Sequence, residues 1–523
     1  MTRTPSGDHR ETSPAGDARL IHDDLETLHR LGYAQELLRR MHGFSNFAIS
    51  FSIICILAGG ITSFPVGLAS VGGAAIGLGW PIGACFSFIV ALGMAQIGSA
   101  FPTAGGLYHW GSILGGRGWG WLTAWFNLIG LVTVMAAVNV GTYGLFVGFF
   151  GPALHFDPSA HPILWQTVCV VVVTTTQALF NHLGIRVTTR LTDFSGYLIF
   201  GVAAALTALL LAFAPSHDWS RLWTFTNLSG AAGGDVWPHS SSLAYLFLVS
   251  LLLPAYTITG FDASAHTAEE TIDAARSVPR GMIRAVVYSA LFGYCMLIAM
   301  VVAIPDLRTA AARGWNLFFY LMETVLPGGL RLTLYAGIWI ANYLCGLAIV
   351  TSASRMVFAF ARDGGLPFSD RLRRVSPRFR TPPAAIWVAA ILGVLFAVYT
   401  PVYSTIVVVC VVFLYVSYVL PIAAGLVAYG RTWTRMGPWT IGSWFRPVAA
   451  VAVLGCVGII FIGVQPPNEK ALTVLIASLA VTALVWFGFE RRRFQGPPVG
   501  ALTLERQAVL LAAERAVGQA LEG

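Results

Sequence analysis

The chain has 523 residues, 56% of them hydrophobic and 11% charged, against about 25% charged in ordinary soluble domains. With a mean hydropathy of +0.71, these proportions exclude a water-soluble enzyme, a disordered chain, a collagen and a disulfide scaffold. At about 20 apolar residues per membrane-spanning helix, the length accommodates about a dozen spans, and the class is an all-α polytopic membrane protein. The net charge of +8 does not point to nucleic acid, because the basic residues sit in short breaks between apolar stretches with no interleaved aromatic face. Cys55, Cys85, Cys169, Cys295, Cys345, Cys410 and Cys456 all lie inside apolar stretches and read as small buried hydrophobes, not as disulfide partners or metal ligands. No cofactor and no metal are expected.

Residues 1–43 form a leader expected on the cytoplasmic side, of which Met1 to Ala18, rich in Thr, Ser, Pro and Asp, reads as disordered. No cleavable signal peptide is expected, since the first apolar run begins near Phe44. Twelve apolar runs follow, at 44–76, 79–101, 119–150, 162–181, 191–214, 240–268, 284–304, 331–361, 383–399, 403–428, 447–464 and 471–489. Each is apolar throughout, not alternating as barrel strands do, and lipid otherwise admits only helices. A cytoplasmic tail, 490–523, closes the chain and has the composition of a surface helix over 501–521. Counting Lys and Arg in alternate connections gives 26 on the side of both termini and 5 on the other, with Arg355 inside run eight. That asymmetry predicts cytoplasmic N- and C-termini and an even number of spans.

Two runs contain residues that a lipid-facing helix avoids. Run one reads Ala58-Gly59-Gly60-Ile61-Thr62-Ser63-Phe64-Pro65, and run six reads Pro254-Ala255-Tyr256-Thr257-Ile258-Thr259-Gly260-Phe261-Asp262. Paired Gly followed by Pro, and Pro followed by a Thr-x-Thr-Gly-x-Asp stretch, destabilise a helix at mid-membrane depth. Unwound backbone persists there only where it faces protein or a water-filled cavity. Freed amides and a helix N-terminus suit a carboxylate, and freed carbonyls suit an ammonium. Each break taken alone is also consistent with a packing kink. As the first and sixth runs, however, they open two halves of a five-plus-five inverted repeat, 44–214 and 240–428, with 447–489 appended.

At these residues the sequence resembles the amino acid–polyamine–organocation superfamily, and within it the amino acid/choline transporter group, over roughly Leu31 to Glu490. The likeness is carried by Leu31-Gly-Tyr-Ala-Gln-Glu-Leu37, Gly43-Phe-Ser-Asn-Phe-Ala-Ile-Ser-Phe-Ser52, Pro102-Thr-Ala-Gly-Gly-Leu-Tyr108, Gly260-Phe-Asp-Ala-Ser-Ala-His-Thr-Ala-Glu-Glu-Thr271 and Ser354 to Pro367. The resemblance implies a twelve-helix permease with discontinuous helices one and six and alternating access by rocking of a helical bundle. It implies that Ala58, Gly59, Gly60 and Ile61 hold a substrate carboxylate and that Tyr256 is an aromatic gate flanked by Thr257, Thr259 and Gly260. The chain departs from the family pattern at Gln96, where Glu is frequent, and in lacking a Lys in run five.

Asp262 sits deep in a span, where a charge costs on the order of 3 kcal/mol or more. It reads equally as an ammonium or proton-coupling group and as a cap for the second half of run six. Glu269 and Glu270 read as an inner gate or as salt bridges to Arg276 or Arg280, and Arg355 as a snorkelling residue or the partner of an acidic neighbour. Asn127 and Asn342 are candidate substrate contacts, with interhelical hydrogen bonding as the plainer role. The expected function is secondary transport of a small amino acid or amine such as γ-aminobutyrate across the cell membrane, with protons and membrane lipid as further partners. Choline or polyamine transport and a non-transporting nutrient sensor are the alternatives. The chain lacks His-Glu-x-x-His, Gly-x-Ser-x-Gly and Walker sequences, so neither an enzyme nor an ATP-driven pump is expected.

Overall fold

The computed structural model describes residues 14–230, 236–400, 403–498 and 504–518. Among the described residues the regular elements are helices, with two isolated bridges, Met41 with Thr271 and Tyr429 with Trp433. Ten helices among the described residues are long and apolar enough to cross a membrane: Gly43–Val71, Ala75–Ala100, Arg117–Leu154, Pro162–His182, Ile185–Phe213, Ala274–Ala303, Gly328–Arg362, Ile406–Ala428, Gly442–Gly463 and Glu469–Arg493. Runs six and nine form the shorter apolar helices Leu243–Thr257 and Pro383–Tyr399. Runs five and seven begin earlier than their apolar stretches, at Ile185 and Ala274. Their first turns carry Arg186 and Arg190, and Arg276, Arg280 and Arg284. Helical hydrogen bonding continues through charged residues, so apolarity alone underestimates a helix that projects from the apolar layer.

Two expectations for the connecting segments change. Pro14–Arg30 is a helix, so the disordered reading fails for Pro14 to Ala18, while residues 1–13 lie outside the described residues. Pro at the first turn and an acidic Asp17 just behind it suit a helix start. The connection at 102–118 is not a plain loop either. Leu107–Gly115 is a helix whose Leu107, Tyr108, His109 and Trp110 are buried. In the tail, Leu504–Gly518 is helical, and Glu514 Oε1 lies 2.8 Å from His29 Nε2.

Runs one, three and eight form the interior. The most apolar stretch of run eight is wholly buried and that of run one 94% buried, whereas run twelve is 11% buried. Run three packs against runs ten and eight, and run seven against runs one and two. Runs eleven and twelve turn Leu454, Phe461, Leu484 and Phe487 outward.

The first half of run one is bound to the far side of run six by a polar zipper. The Asn46 amide donates to the Ser264 carbonyl at 3.0 Å, to Thr271 Oγ1 at 3.0 Å and to Thr267 Oγ1 at 3.3 Å. Ser50 Oγ donates to the Phe261 carbonyl at 2.8 Å and accepts the Ser264 amide at 2.9 Å. Ser264 Oγ in turn donates to the Asn46 carbonyl. These groups are buried, and each one stripped of its partner costs about 1–3 kcal/mol. Asn46→Ala is therefore expected to destabilise the protein by about 1–3 kcal/mol, read as a lowered unfolding temperature in detergent, with less effect from Ser45→Ala one residue away.

Candidate functional site

Run one is interrupted at Cys55, one turn before the paired glycines. Gly43–Ile54 ends there with Cys55 in the left-handed region at φ 30°. A wide turn, Ile56–Gly60, then restarts the helix into Ile61–Val71. The Cys55 carbonyl takes the amides of both Ala58 and Gly59, and the amides of Ile56 and Leu57 have no acceptor among the described residues. The sequence placed the break at Ala58-Gly59-Gly60, but those glycines serve a close approach. A Cβ on Gly59 would meet Thr257 Cα at 3.1 Å. Pro65 lies inside the restarted helix and does not end it.

Run six stops after Thr257, where the Pro254 carbonyl accepts the Ile258 amide. Residues 258–262 are unwound, and a short helix, Ala263–His266, follows. Gly260 takes φ +83°, and a Cβ there would stand 2.2 Å from Ile53 Cγ2, so position and conformation both require glycine. The amides of Phe261 and Asp262 carry no hydrogen bond among the described residues, and neither do the carbonyls of Ile258 and Thr259. The two interruptions therefore abut, pooling four uncommitted amides at one buried crossing. Buried peptide groups in such numbers are uncommon, and chemically such amides can donate hydrogen bonds to a negatively charged group.

Around this crossing, Thr257 Oγ1 back-bonds to Leu253 and lies 3.2 Å from Ser63 Oγ. Thr259 Oγ1 donates to the Tyr256 carbonyl. Thr62 and Ser63 bond back to the carbonyls of Ala58 and Gly59. Tyr256 and Ile61 are buried beside them. Thr62 and Ser63 also line a cavity of about 40 Å³ with Val66, Trp237, Leu252 and Trp315, on the side away from the leader.

Asp262, fully buried, does not cap the helix that it precedes. Its carboxylate instead accepts the Tyr418 hydroxyl at 2.8 Å and the Asn127 amide at 3.3 Å, and lies 3.2 Å from His266 Nε2. The Tyr418 hydroxyl also accepts the Gly260 amide at 3.0 Å, and Asn127 Oδ1 is buried without a partner. Run ten thus supplies a tyrosine that the sequence counted only as part of an apolar stretch. Asn127 joins this cluster, whereas Asn342 does not. Its amide donates to Thr142 Oγ1 at 2.6 Å and to the Val138 carbonyl at 3.2 Å, both in run three.

On the leader side the crossing is closed by ion pairs. Glu270 holds Arg355 through two bonds of 2.8 and 2.9 Å, both side chains fully buried, and Glu269 holds Arg362 through two of 2.9 and 3.0 Å. The expected partners Arg276 and Arg280 are not used, and Arg276 pairs with Asp273. Both observed arginines come from run eight, whose last turns face residues 268–271, whereas Arg276 and Arg280 ride on the helix leading away. The leader completes the layer. Gln35 donates to the Glu269 carbonyl, Arg39 to the carbonyls of Ala268 and Thr271, and the amides of Arg40 and Met41 to the Glu270 carbonyl. Asp24 accepts the amides of Asp273 and Ala274 and stands 3.4 Å from Arg39. Burial pushes the Asp24 carboxyl above its ordinary range, with Arg39 pulling the other way.

Residues 42–489 match the sequence profile of the family described as Amino acid permease. The chain is 31% identical over 504 residues to Amino-acid permease BAT1 of Arabidopsis thaliana, covering 90% of this chain and 95% of that one. It is 29% identical over 522 residues to Amino-acid permease 2 of Neurospora crassa, covering 95% and 93%. A buried crossing of two interrupted helices, with ten apolar helices of spanning length among the described residues, accords with that match: the chain belongs to the amino acid permease family, whose members are multi-pass membrane transporters and not enzymes.

Proposed function

We propose that the protein is a secondary transporter that carries a small amino acid of the γ-aminobutyrate type across the cell membrane by alternating access. The observation that carries this reading is the pool of four uncommitted amides where runs one and six abut. A carboxylate docks on the amides of Ile56, Leu57, Phe261 and Asp262, the ammonium turns to the open carbonyls of Ile258 and Thr259, and Tyr256 closes over the solute. In this reading all twelve runs span, the termini are cytoplasmic, and runs one to five and six to ten form inverted repeats, each opened by its broken member. The buried Glu270–Arg355 and Glu269–Arg362 pairs then form the cytoplasmic gate, drawn shut in this structure, and bilayer lipid covers the outward apolar faces.

The deciding experiment is counterflow in proteoliposomes holding the purified protein, with labelled γ-aminobutyrate outside and a panel of competitors. Amino acids with a free carboxylate are expected to displace the label, while choline and spermidine leave it unchanged. Transport of choline or spermidine without any amino acid overturns the carboxylate site, and binding without counterflow identifies a sensor.

Two substitutions probe the parts separately. A side chain at Gly60 meets first the mobile end of Met296, 3.2 Å from the Cβ position, so Gly60→Leu is expected to fold normally. It fills the approach to the amides and weakens solute binding by at least about tenfold, or 1.4 kcal/mol, measured by thermal-shift titration. Glu270→Gln leaves Arg355 buried without a counter-charge, a loss of about 3–5 kcal/mol. The double variant Glu270→Gln with Arg355→Gln is expected to regain part of the unfolding temperature but not gated uptake.

A further inference from the structure

The Asp262–His266 pair has hydrogen-bond partners of an unusual kind. His266 Nε2 faces Asp262 Oδ2 at 3.2 Å, and Nδ1 faces the Ala104 carbonyl at 3.4 Å. Both partners are acceptors, and a neutral imidazole has only one N–H to offer. With one proton on the pair, both contacts are satisfied in either of two ways. An imidazolium donates to both oxygens, or a protonated Asp262 donates to Nε2 while Nδ1–H donates to Ala104. Both arrangements leave the pair without net charge. When that proton leaves, one ring nitrogen must point its lone pair at an oxygen, and the pair carries a net negative charge in a fully buried place. The empty state is therefore frustrated twice, by lone-pair repulsion and by uncompensated charge.

The surroundings supply no other charge at the pair. Run ten contributes Tyr418 and, behind it, Tyr415; run three contributes Asn127; run one contributes Asn46 and Ser50. The 103–109 segment places Thr103 against His109. The ionised neighbours are already committed. Glu269 takes the Ala104 amide and Arg362, and Glu270 takes Arg355. Tyr418 links the pair to the solute site, since its single hydroxyl donates to Asp262 and accepts the Gly260 amide. A change in the charge on Asp262 is thus felt directly at the backbone of the run-six break.

We infer that Asp262 and His266 together seat one coupling proton, and that the Tyr418 hydroxyl ties its presence to the shape of the solute site. The inference rests on the transport reading above. The cycle balances simply: the pair takes one H⁺ from water on one face, crosses without net charge while solute is bound, and gives the same H⁺ to water on the other. Once emptied, the negative pair favours the ammonium of a new solute or another proton. Asp262 and His266 bind the proton, and Tyr418 is a positioning residue.

The test uses purified protein in pyranine-loaded proteoliposomes with a labelled mixture of the common amino acids and γ-aminobutyrate. An inward gradient of one pH unit supports up to about tenfold accumulation for one proton per solute, and adding the mixture is expected to acidify the lumen. His266→Gln and Asp262→Asn are expected to abolish both effects while exchange persists at a measurable rate. Tyr418→Phe is expected to keep proton-driven uptake but shift its pH midpoint. Full gradient-driven accumulation in His266→Gln overturns the inference. Loss of exchange together with coupling in both the His266 and Asp262 variants, with folding intact by size-exclusion profile, also overturns it. A wild-type protein that exchanges without responding to the gradient overturns the proton seat and leaves the permease reading standing. A wild type that neither exchanges nor accumulates overturns both.

Discussion

The peptide group cannot be left bare in hydrocarbon, and this constraint shapes the whole molecule. Helices meet it by satisfying themselves, yet this chain interrupts two of them at the same place. The interruption survives because protein surrounds it. The zipper of Asn46, Ser50, Ser264 and Thr267 takes up the groups freed beyond the break, and Tyr418 takes the Gly260 amide. What remains uncommitted is confined to a few amides and carbonyls at the crossing. The close approach needed for this explains the two glycines. Gly59 admits the Thr257 backbone, and Gly260 adopts a conformation that only glycine reaches without strain while leaving room for Ile53.

The second ordering feature is the layer of buried charge on the leader side. Burying an ion pair is costly, and its attraction offsets that cost only with good geometry and all bonds made. Both Glu270–Arg355 and Glu269–Arg362 are two-pronged, and Arg362 also stacks over Tyr33 at 3.8 Å from the ring centre. If the layer parts during transport, as proposed above, each charge recovers its hydration on exposure, whereas an apolar plug is penalised by exposure to water without recompense.

Much of this was legible in the residues. Apolar length located the helices, and Pro254 with Gly260 located the break in run six. The break in run one was misplaced by a turn because paired glycines were read as conformational freedom, whereas Gly59 serves proximity to Thr257 and the left-handed residue is Cys55. Glu269 and Glu270 were recognised as paired, but arginines nearby in sequence were preferred to Arg355 and Arg362, which arrive from run eight. Tyr418 was invisible for a related reason. In an apolar stretch a tyrosine counts as hydrophobic, and only the fold shows its hydroxyl pointing at Asp262. His266 was not singled out either, since its meaning depends on the Ala104 carbonyl from a segment between runs two and three.

The leader bears on how this protein is handled. Residues 35–41 run alongside 268–272 and donate hydrogen bonds to four of its carbonyls, those of Ala268, Glu269, Glu270 and Thr271, while the Met41 carbonyl receives the Ile272 amide. This stretch leads directly into run one, so it acts as a strut joining the lower ends of both interrupted helices. Proteolytic trimming ahead of Phe44, or a bulky fusion partner spliced close to it, would remove or crowd these bonds and unfasten the strut.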